Sequence, residues 1–319
     1  MRKLKRLKRA LSLLLVAALM VTISACGSSD DSKTSTSGTA KGEDTITIYD
    51  GQFAEMQIIH QMVKLLVEEH TDAKVEIKDE MSPVNSYNEI IKGNADMMNS
   101  YDGTLLTTYL HLDPSDVPEE QSLYNFVNEQ AESVGVQLLD KLGINNTYII
   151  AVPEHIAEEY NLTTTSDLIP VAGELVFGAE HDFFTEEGSA KYNPFVEFYD
   201  LEFKESKQID INLKYAAIDS GSIDVTVAYA TDAQNLESNM VLLEDDLNFF
   251  PEYNGALLVR TDLFERLADV APDLEEVLNK LGGIFTDEDM VNLSYEVDME
   301  GRTPNEVAKE YLQGLGLIS

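Results

Sequence analysis

Cysteine and tryptophan are nearly missing from this chain of 319 residues, which has one cysteine, Cys26, and no tryptophan. A single cysteine excludes an internal disulfide, so the fold must be held together by its core. The lack of tryptophan means that any aromatic ligand site has to be built from the 14 tyrosines and 12 phenylalanines.

Positive charge is scarce as well. Lys and Arg number 22 against 58 Asp and Glu, which gives a formal net charge of −36 at pH 7. Six of the basic residues lie in the first nine positions, so the rest of the chain is more acidic still. Such a field repels nucleic acid and mildly favours cationic ligands, so we expect no nucleic-acid partner. Solubility of a surface protein from a salty or acidic habitat is the alternative explanation.

The common catalytic and cofactor-binding signatures are also missing. The five histidines form no HExxH pair, and the chain has no GxSxG, Walker or GxGxxG motif. Pairs of acidic residues are frequent, but in so acidic a chain their proximity carries no information. We therefore expect no enzymatic activity, no metal site and no cofactor.

Arginine does not occur between residues 10 and 259. A cleft that grips an amino acid, a phosphate or a sulfate usually uses the bidentate guanidinium of arginine. A quaternary ammonium ion has no N–H donor and is held instead by the negative faces of aromatic rings. The composition favours a quaternary ammonium ligand over an amino acid or osmolyte that lacks the trimethyl group, which remains the alternative.

The N-terminal segment has a basic part, MRKLKRLKR, an apolar part, ALSLLLVAALMVTIS, and small residues before Cys26 in ISAC. This order resembles the lipobox of bacterial lipoproteins. We predict a signal peptide over residues 1–25, lipidation of Cys26, and anchoring on the outer face of the cytoplasmic membrane. Residues 26–44 are rich in Gly, Ser and Thr and are predicted to form a flexible tether.

From Thr45 onwards, strand and helix patterns alternate in two successive series, followed by a tail with too few strands for a third domain. This order predicts an α/β fold of two lobes, each with a doubly wound, mostly parallel sheet. The tail is expected to return to the first lobe, so that the chain crosses between the lobes twice. The predicted boundaries are 45–147 plus 251–319 for lobe I and 148–250 for lobe II.

Two short stretches share one spacing. GNADMMNSY (93–101) and GSIDVTVAY (221–229) each begin with glycine, carry aspartate three residues later and end in tyrosine. Ligands of open α/β sheets bind beyond the carboxyl ends of the strands. We therefore expect Tyr101 and Tyr229 to face the same cleft, one from each lobe.

Several motifs occur in order over most of the chain: TIYDGQFAEMQI near the start, YDGT at 101–104, NNTY at 145–148, AYATD at 228–232 and LLEDDLNFFPEY at 242–253. With these motifs the chain resembles the substrate-binding lipoproteins of ABC importers for osmoprotectants such as glycine betaine, carnitine and choline. The resemblance implies a two-lobed periplasmic-binding-protein fold of type II that closes over a small ligand. It also implies delivery to a membrane permease, which we expect to be a separate chain, and a monomeric binding protein.

The resemblance also assigns residues. It implies a cage of Tyr101, Tyr148 and Tyr229 around a trimethylammonium group, with Thr104 as a polar contact. The glutamine that this family places in its first loop corresponds most closely to Gln52, displaced by one position.

Two points stay open in the sequence. A fourth ring could come from Tyr253, Phe183 or Phe184. Asp102 either turns the chain, as Asp-Gly pairs do, or contributes a charge that favours a pure cation such as choline over a zwitterion.

A surface enzyme or adhesin that uses the same two-lobed fold is the alternative from a different class of protein.

Overall fold

A computed structural model describes residues 44–185, 189–210 and 213–319. The predicted signal peptide, Cys26 and all of the predicted tether except Asp44 lie outside these ranges. Within the described ranges, no helix is both long enough and apolar enough to span a bilayer.

The first series of elements extends to residue 138. Its first and third strands are buried over most of their length, and its longest helix turns an apolar face inward. The elements are β1 (Thr45–Tyr49), α1 (Ala54–His70), β2 (Lys74–Lys78), α2 (Pro83–Ile91), β3 (Met97–Tyr101), α3 (Leu123–Glu132) and β4 (Val136–Leu138). After β3 the chain continues directly as a helical turn, Asp102–Thr104, and a π-helical turn, Leu105–Tyr109.

The second series lies between residues 148 and 243. Its elements are β5 (Tyr148–Pro153), α4 (Glu154–Tyr160), β6 (Val176–Glu180), α5 (Tyr192–Tyr199), β7 (Glu205–Ile209), α6 (Lys214–Asp219), β8 (Val225–Tyr229), α7 (Gln234–Glu237) and β9 (Met240–Leu243). The 3₁₀ turns of the described chain are Pro114–Asp116, Thr165–Leu168, Ala172–Glu174 and His181–Phe184.

The last part of the chain contributes one strand and four helices. They are β10 (Gly255–Arg260), α8 (Leu263–Arg266), α9 (Leu274–Asn279), α10 (Asp287–Asp298) and α11 (Pro304–Gly314). The threonines that precede α10 and α11 form capping boxes. At α11 the side chain of Thr303 accepts a hydrogen bond from the amide of Glu306, and the side chain of Glu306 accepts one from the amide of Thr303.

The strands form three sheets. β1 and β2 pair in parallel, β10 lies between β3 and β4 and runs antiparallel to both, and the third sheet has the order β7-β6-β8-β5-β9. In this third sheet β6 is parallel to β7 and β8, whereas β5 is antiparallel to β8 and β9. The predicted α/β class with two lobes is confirmed, and the sheets are mixed where the sequence predicted mostly parallel ones.

The antiparallel strands have a simple cause. β3 and β8 end at the cleft, at Tyr101 and Tyr229, whereas β10 and β5 begin there. A strand that enters a sheet from the cleft edge must run opposite to a strand that leaves the sheet at that edge. The two crossings therefore make β10 and β5 antiparallel to their neighbours.

Each lobe has its own hydrophobic interior. One group of buried side chains joins β1, α1 and the last four helices, and a second packs around β3, β10 and α3. A separate cluster, rich in phenylalanine, fills the lobe of the five-stranded sheet. Within this separate cluster every buried member comes from residues 150–250.

The two Gly–Asp–Tyr stretches adopt the same local structure. Gly93 follows the end of α2 with a φ of +80°, and Gly221 ends the turn after α6 with a φ of +68°. Glycine adopts this backbone conformation at little cost. Asp96 then donates its amide to the Thr47 carbonyl at 2.8 Å, and its carboxylate accepts the Thr47 amide at 2.7 Å. Asp224 makes the same pair of bonds with Val176, at 2.8 and 2.9 Å.

Each aspartate therefore ties the start of its strand to a strand of the same lobe, β1 for β3 and β6 for β8. The side chain of Asp96 also forms an ion pair with Arg266 at 2.8 Å. Because each tyrosine lies five residues beyond its aspartate, this tie fixes how far along the sheet the ring is delivered.

Replacement of Asp224 by alanine should destabilise the protein, because the partly buried amide of Val176 then loses its acceptor. The expected loss is about 1–3 kcal/mol in the free energy of unfolding, and Asp224→Asn, which keeps an acceptor oxygen, should lose less. Denaturant unfolding measures both changes. Asp269→Ala, at an exposed position, is the control, and equal stability of Asp224→Ala and this control would contradict the interpretation.

Candidate functional site

Tyr148 and Tyr229 form a pair of rings at the edge of the five-stranded sheet. They are direct cross-strand partners, the first residue of β5 and the last of β8, and their ring centroids lie 5.3 Å apart. Phe183 and Phe250 pack edge-on behind Tyr148, with centroids at 5.6 and 6.0 Å. These buried phenylalanines hold the tyrosine pair in a fixed orientation.

Tyr101 and Tyr253 form a second pair on the other lobe, with ring centroids 5.2 Å apart. The hydroxyl of Tyr253 is 2.5 Å from the hydroxyl of Thr104, which fixes the outer end of the ring. The missing side chain of Gly103 leaves room for the Tyr253 ring, because a Cβ atom on residue 103 would come within 2.2 Å of that ring. Of the three candidates for a fourth ring, Tyr253 is therefore the one that pairs with a tyrosine of the predicted cage from the first lobe.

Tyr101 and Tyr229 line one cavity of about 490 Å³, which is bounded by both lobes. The structure therefore brings Tyr101 and Tyr229 together at one cavity. The remaining lining residues are Phe53, Ala54, Glu55, Asn146, Thr231, Asp232, Ala233, Ser294 and Asp298.

Glu55 is a charged lining residue of this cavity that the sequence reasoning missed. It lies in the first turn of α1, its side chain is buried, and it accepts hydrogen bonds from the hydroxyl of Tyr101, from Thr231 Oγ1 at 2.9 Å and from Asn99 Nδ2 at 3.5 Å. Burial raises the pKa of its carboxyl group, and these hydrogen bonds oppose the rise. One signal in the sequence could have indicated this burial. The glutamate directly follows Ala54, and helical spacing puts it beside apolar residues.

The tyrosines of the site stay neutral. Burial raises the pKa of the Tyr101 hydroxyl well above its ordinary value, and the neighbouring Glu55 carboxylate raises it further. Burial likewise raises the pKa of Tyr148, Tyr229 and Tyr253. Neutral phenol rings retain the negative faces that attract cations without adding a net charge.

A buried lysine, also missed at the sequence level, lies against Tyr229. Lys214 Nζ is 5.4 Å from the centroid of that ring, donates to the Val227 carbonyl at 3.0 Å and lies 3.4 Å from Glu180 Oε2. The lysine is not one of the residues that line the cavity. The positive charge of Lys214 is compensated by Glu180 and by the Val227 carbonyl.

Asp102 has a structural environment. Its carboxylate accepts the Gly103 amide at 2.8 Å, the Asn254 amide at 2.9 Å and Asn254 Nδ2 at 2.7 Å. These bonds join the turn after β3 to the start of β10. Of the two interpretations left open by the sequence, the geometry favours the one in which Asp102 turns the chain.

The other predicted residues lie in different places. Gln52 is exposed and does not line the cavity. Phe183 is fully buried behind Tyr148, and Phe184 packs against Phe177 and Tyr192 in the aromatic core of the second lobe. Asp232 caps the turn before α7 by accepting the Gln234 amide at 2.9 Å.

The part of the chain that the structure describes shows no metal site. Over residues 44–185, 189–210 and 213–319, no group of three or more His, Cys, Asp or Glu side chains is arranged to hold a metal ion. The chemistry that the cavity offers is aromatic faces, a buried carboxylate and a few hydroxyl and amide groups.

Replacement of Gly103 by alanine should push the Tyr253 ring from its place, because the new methyl group would overlap it. We expect a loss of about 1–3 kcal/mol in the free energy of unfolding. The loss should largely disappear in a Tyr253→Ala background, which a double-mutant cycle measures. Gly314→Ala, where a Cβ meets nothing within 4 Å, is the control. An undiminished loss without the ring would refute the contact as its cause.

Comparison with known proteins identifies the family. A match to the substrate binding domain of ABC-type glycine betaine transport systems extends over residues 44–314. A carnitine transport binding protein of Listeria monocytogenes is 33% identical over 273 residues, which cover 85% of this chain and 87% of that protein. A glycine-betaine-binding protein of Pseudomonas aeruginosa is 30% identical over 230 residues, or 69% of this chain and 72% of that protein.

A solved structure described as a glycine betaine/carnitine/choline ABC transporter aligns with a TM-score of 0.77 at 28% identity. The alignment covers 86% of this chain and 100% of that one. This similarity confirms the predicted two-lobed, type II-like periplasmic-binding-protein fold. The chain belongs to the family of substrate-binding domains of ABC-type glycine betaine transport systems.

Proposed function

We propose that this protein captures a quaternary-ammonium compatible solute, such as glycine betaine, carnitine or choline, and delivers it to an ABC permease. The observation that carries the proposal is that Tyr101 and Tyr229 line one cavity from the two lobes, each with a second tyrosine ring packed beside it, Tyr253 and Tyr148, which are not themselves in the lining. Relatives named for carnitine and for glycine betaine support the same ligand class. The protein acts in this proposal as a binding protein and catalyses no reaction.

The physical basis is the attraction between a cation and the faces of aromatic rings. A trimethylammonium group spreads its charge over methyl groups that cannot donate conventional hydrogen bonds, so ring faces are its best partners. Tyr101 and Tyr253 supply two rings from one lobe, and Tyr148 and Tyr229 supply two from the other. Each ring is worth about 0.5–2 kcal/mol, so four of them would dominate the affinity. Thr104 then acts mainly through its bond to the hydroxyl of Tyr253.

We further propose that residues 45–147 plus 251–319 and residues 148–250 move as two bodies. The proposed hinge is formed by the two crossings, near Thr147 and Pro251, where Thr147 Oγ1 donates to the Pro251 carbonyl at 2.7 Å. Closure brings the two tyrosine pairs onto opposite sides of the ligand. A permease would then recognise the closed form.

Titration calorimetry tests this function directly. We expect choline, glycine betaine or carnitine to bind with micromolar or tighter affinity, and proline and ectoine to bind weakly because neither has a trimethylammonium group. Tyr101→Ala or Tyr229→Ala should each weaken binding about 3- to 30-fold, whereas the phenylalanine variants keep the ring and should lose less.

Tyr160→Ala, on α4 away from the cavity lining, is the control and should bind as the unchanged protein does. An absence of binding heat with every quaternary ammonium compound, in a protein that unfolds cooperatively, would reject the proposed function. Tight binding of an amino acid alone would support the alternative ligand class.

We also propose that Cys26 carries a lipid that anchors the chain on the outer face of the cytoplasmic membrane, as a monomer that works with a separate permease chain. The signal-like sequence before Cys26 supports this proposal. In a bacterial host, Cys26→Ala should abolish both processing and partition into the membrane fraction. A variant that is still processed and still sediments with membranes would exclude lipidation.

A further inference from the structure

Phe53 is a third aromatic residue in the wall of the proposed ligand cavity. Of the eleven residues that form the described lining, three carry an aromatic ring, and they are Phe53, Tyr101 and Tyr229. The sequence motifs point to the two tyrosines and leave the phenylalanine unassigned. Tyr148 and Tyr253 pack against the lining tyrosines and are not in the lining themselves, so Phe53 is better placed than they are to touch a ligand in this cavity.

The side chain of Phe53 is largely uncovered. The residue is 63% exposed, the highest value among the exposed large apolar residues of the described ranges, whereas both lining tyrosines are only partly exposed. Single exposed apolar residues are common on protein surfaces and need no function. Phe53 differs from them because it borders a cavity, so that a ligand in the cavity can cover its ring.

The backbone that carries this ring is held in place. Phe53 precedes α1 in an extended conformation, with φ of −122° and ψ of 145°, and its carbonyl accepts the Gln57 amide at 3.1 Å. The side chain of Gln57 donates to the Gly51 carbonyl at 2.9 Å, which ties the loop before Phe53 to the first turn of the helix. The position of the ring is therefore defined, although most of its surface stays uncovered.

Phenylalanine is also an unusual residue at the start of a helix. Phe53 is the N-cap of α1, a position that favours Ser, Thr, Asp or Asn because their side chains accept an amide of the first turn. Phenylalanine cannot accept such a bond, whereas Thr286 and Thr303 do so for α10 and α11. A ring that replaces a helix cap and remains exposed is better explained by contact with a ligand than by stability.

We infer that Phe53 is a ligand-binding residue, and that its ring completes the aromatic wall around the trimethylammonium group of the proposed ligand. This inference rests on the proposed function. Tyr101 and Tyr229 each come from the end of a strand, one in each lobe, and Phe53 adds a face from the start of α1. The contact is with the cationic group that glycine betaine, carnitine and choline share, so Phe53 strengthens the binding of all three.

The surroundings of the ring suit a cationic group. Glu55 lies two residues further along the chain and lines the same cavity, as do Asp232 and Asp298. An aromatic face attracts a cation more strongly when the cation is removed from water. Because Phe53 is the most exposed aromatic residue of the lining, its ring can exclude water from the bound cation on the side where the cavity opens.

Titration calorimetry on the full chain tests this contact. Phe53→Ala should weaken the binding of choline and of glycine betaine about 3- to 30-fold, which is the contribution of one ring. Phe53→Tyr keeps a ring face and should bind as the unchanged protein does, whereas Phe53→Leu keeps only apolar bulk and should lose nearly as much as the alanine variant. Phe198→Ala removes an exposed phenylalanine of α5 that is not in the lining, and it should leave both affinities unchanged.

A fluorescent reporter locates the contact independently of affinity. The chain has no tryptophan, so Phe53→Trp and Phe198→Trp each contain a single indole. Saturating choline should shift the emission of Phe53→Trp and reduce its quenching by acrylamide, because the ligand covers the ring. The emission and quenching of Phe198→Trp should stay the same.

Phe53→Ala should unfold at the same denaturant concentration as the unchanged protein, because the side chain is mostly exposed, so that a loss of affinity reports on the ligand. Unchanged affinity of Phe53→Ala or of Phe53→Leu would overturn the inference, and so would fluorescence of Phe53→Trp that is the same with and without bound choline. Absence of quaternary ammonium binding to the unchanged protein would instead reject the proposed function, and this inference with it.

Discussion

The positions of Tyr101 and Tyr229 depend on two aspartates that each pair with the backbone of a neighbouring strand. At the start of their own strands, Asp96 forms hydrogen bonds with the backbone of Thr47, and Asp224 forms them with the backbone of Val176. Each aspartate uses both its main-chain amide and its carboxylate. Such a pair of bonds cannot slip by one residue without leaving unpaired an amide that is buried at Thr47 and partly buried at Val176, which costs about 1–3 kcal/mol for a buried group. With the register fixed, Tyr101 and Tyr229 arrive at the cleft edge five residues later.

The strands that begin at the cleft complete what those aspartates start. β5 begins with Tyr148 opposite Tyr229, and β10 begins with Gly255 opposite Tyr101, two residues after Tyr253. The mixed sheets thus have a structural consequence, because each lobe has one ring where a strand ends and another near the point where the chain crosses. Glu55 lies among these groups and, together with Asp232 and Asp298, gives the cavity lining its acidic residues.

Much of this arrangement could be predicted from the sequence. β-branched alternation, glycine caps and the repeated Gly–Asp–Tyr spacing gave the strands and the two tyrosines at the cleft, and the motif resemblance added Tyr148. The strand directions could not be read locally, because they depend on where the chain crosses between lobes. Tyr253 as partner of Tyr101 was undecided for a similar reason, since the contact depends on the missing side chain of Gly103.

The charges were the hardest part to predict. Asp102 and Glu55 are both acidic residues beside motif positions, and sequence alone does not say which carboxylate faces the cavity. In the structure Asp102 accepts hydrogen bonds from Asn254 in the turn, whereas Glu55 lines the cavity. Burial and hydrogen bonding decide this difference, and both depend on residues far away in the chain, such as Thr231.

A crystal structure of the protein with choline bound tests the central claim most directly. The account predicts that the choline nitrogen lies within about 6 Å of the ring centroids of Tyr101, Tyr148, Tyr229 and Tyr253. It also predicts that the Glu55 carboxylate lines the same site. Choline bound outside these rings, or held by the rings of one lobe alone, would contradict it.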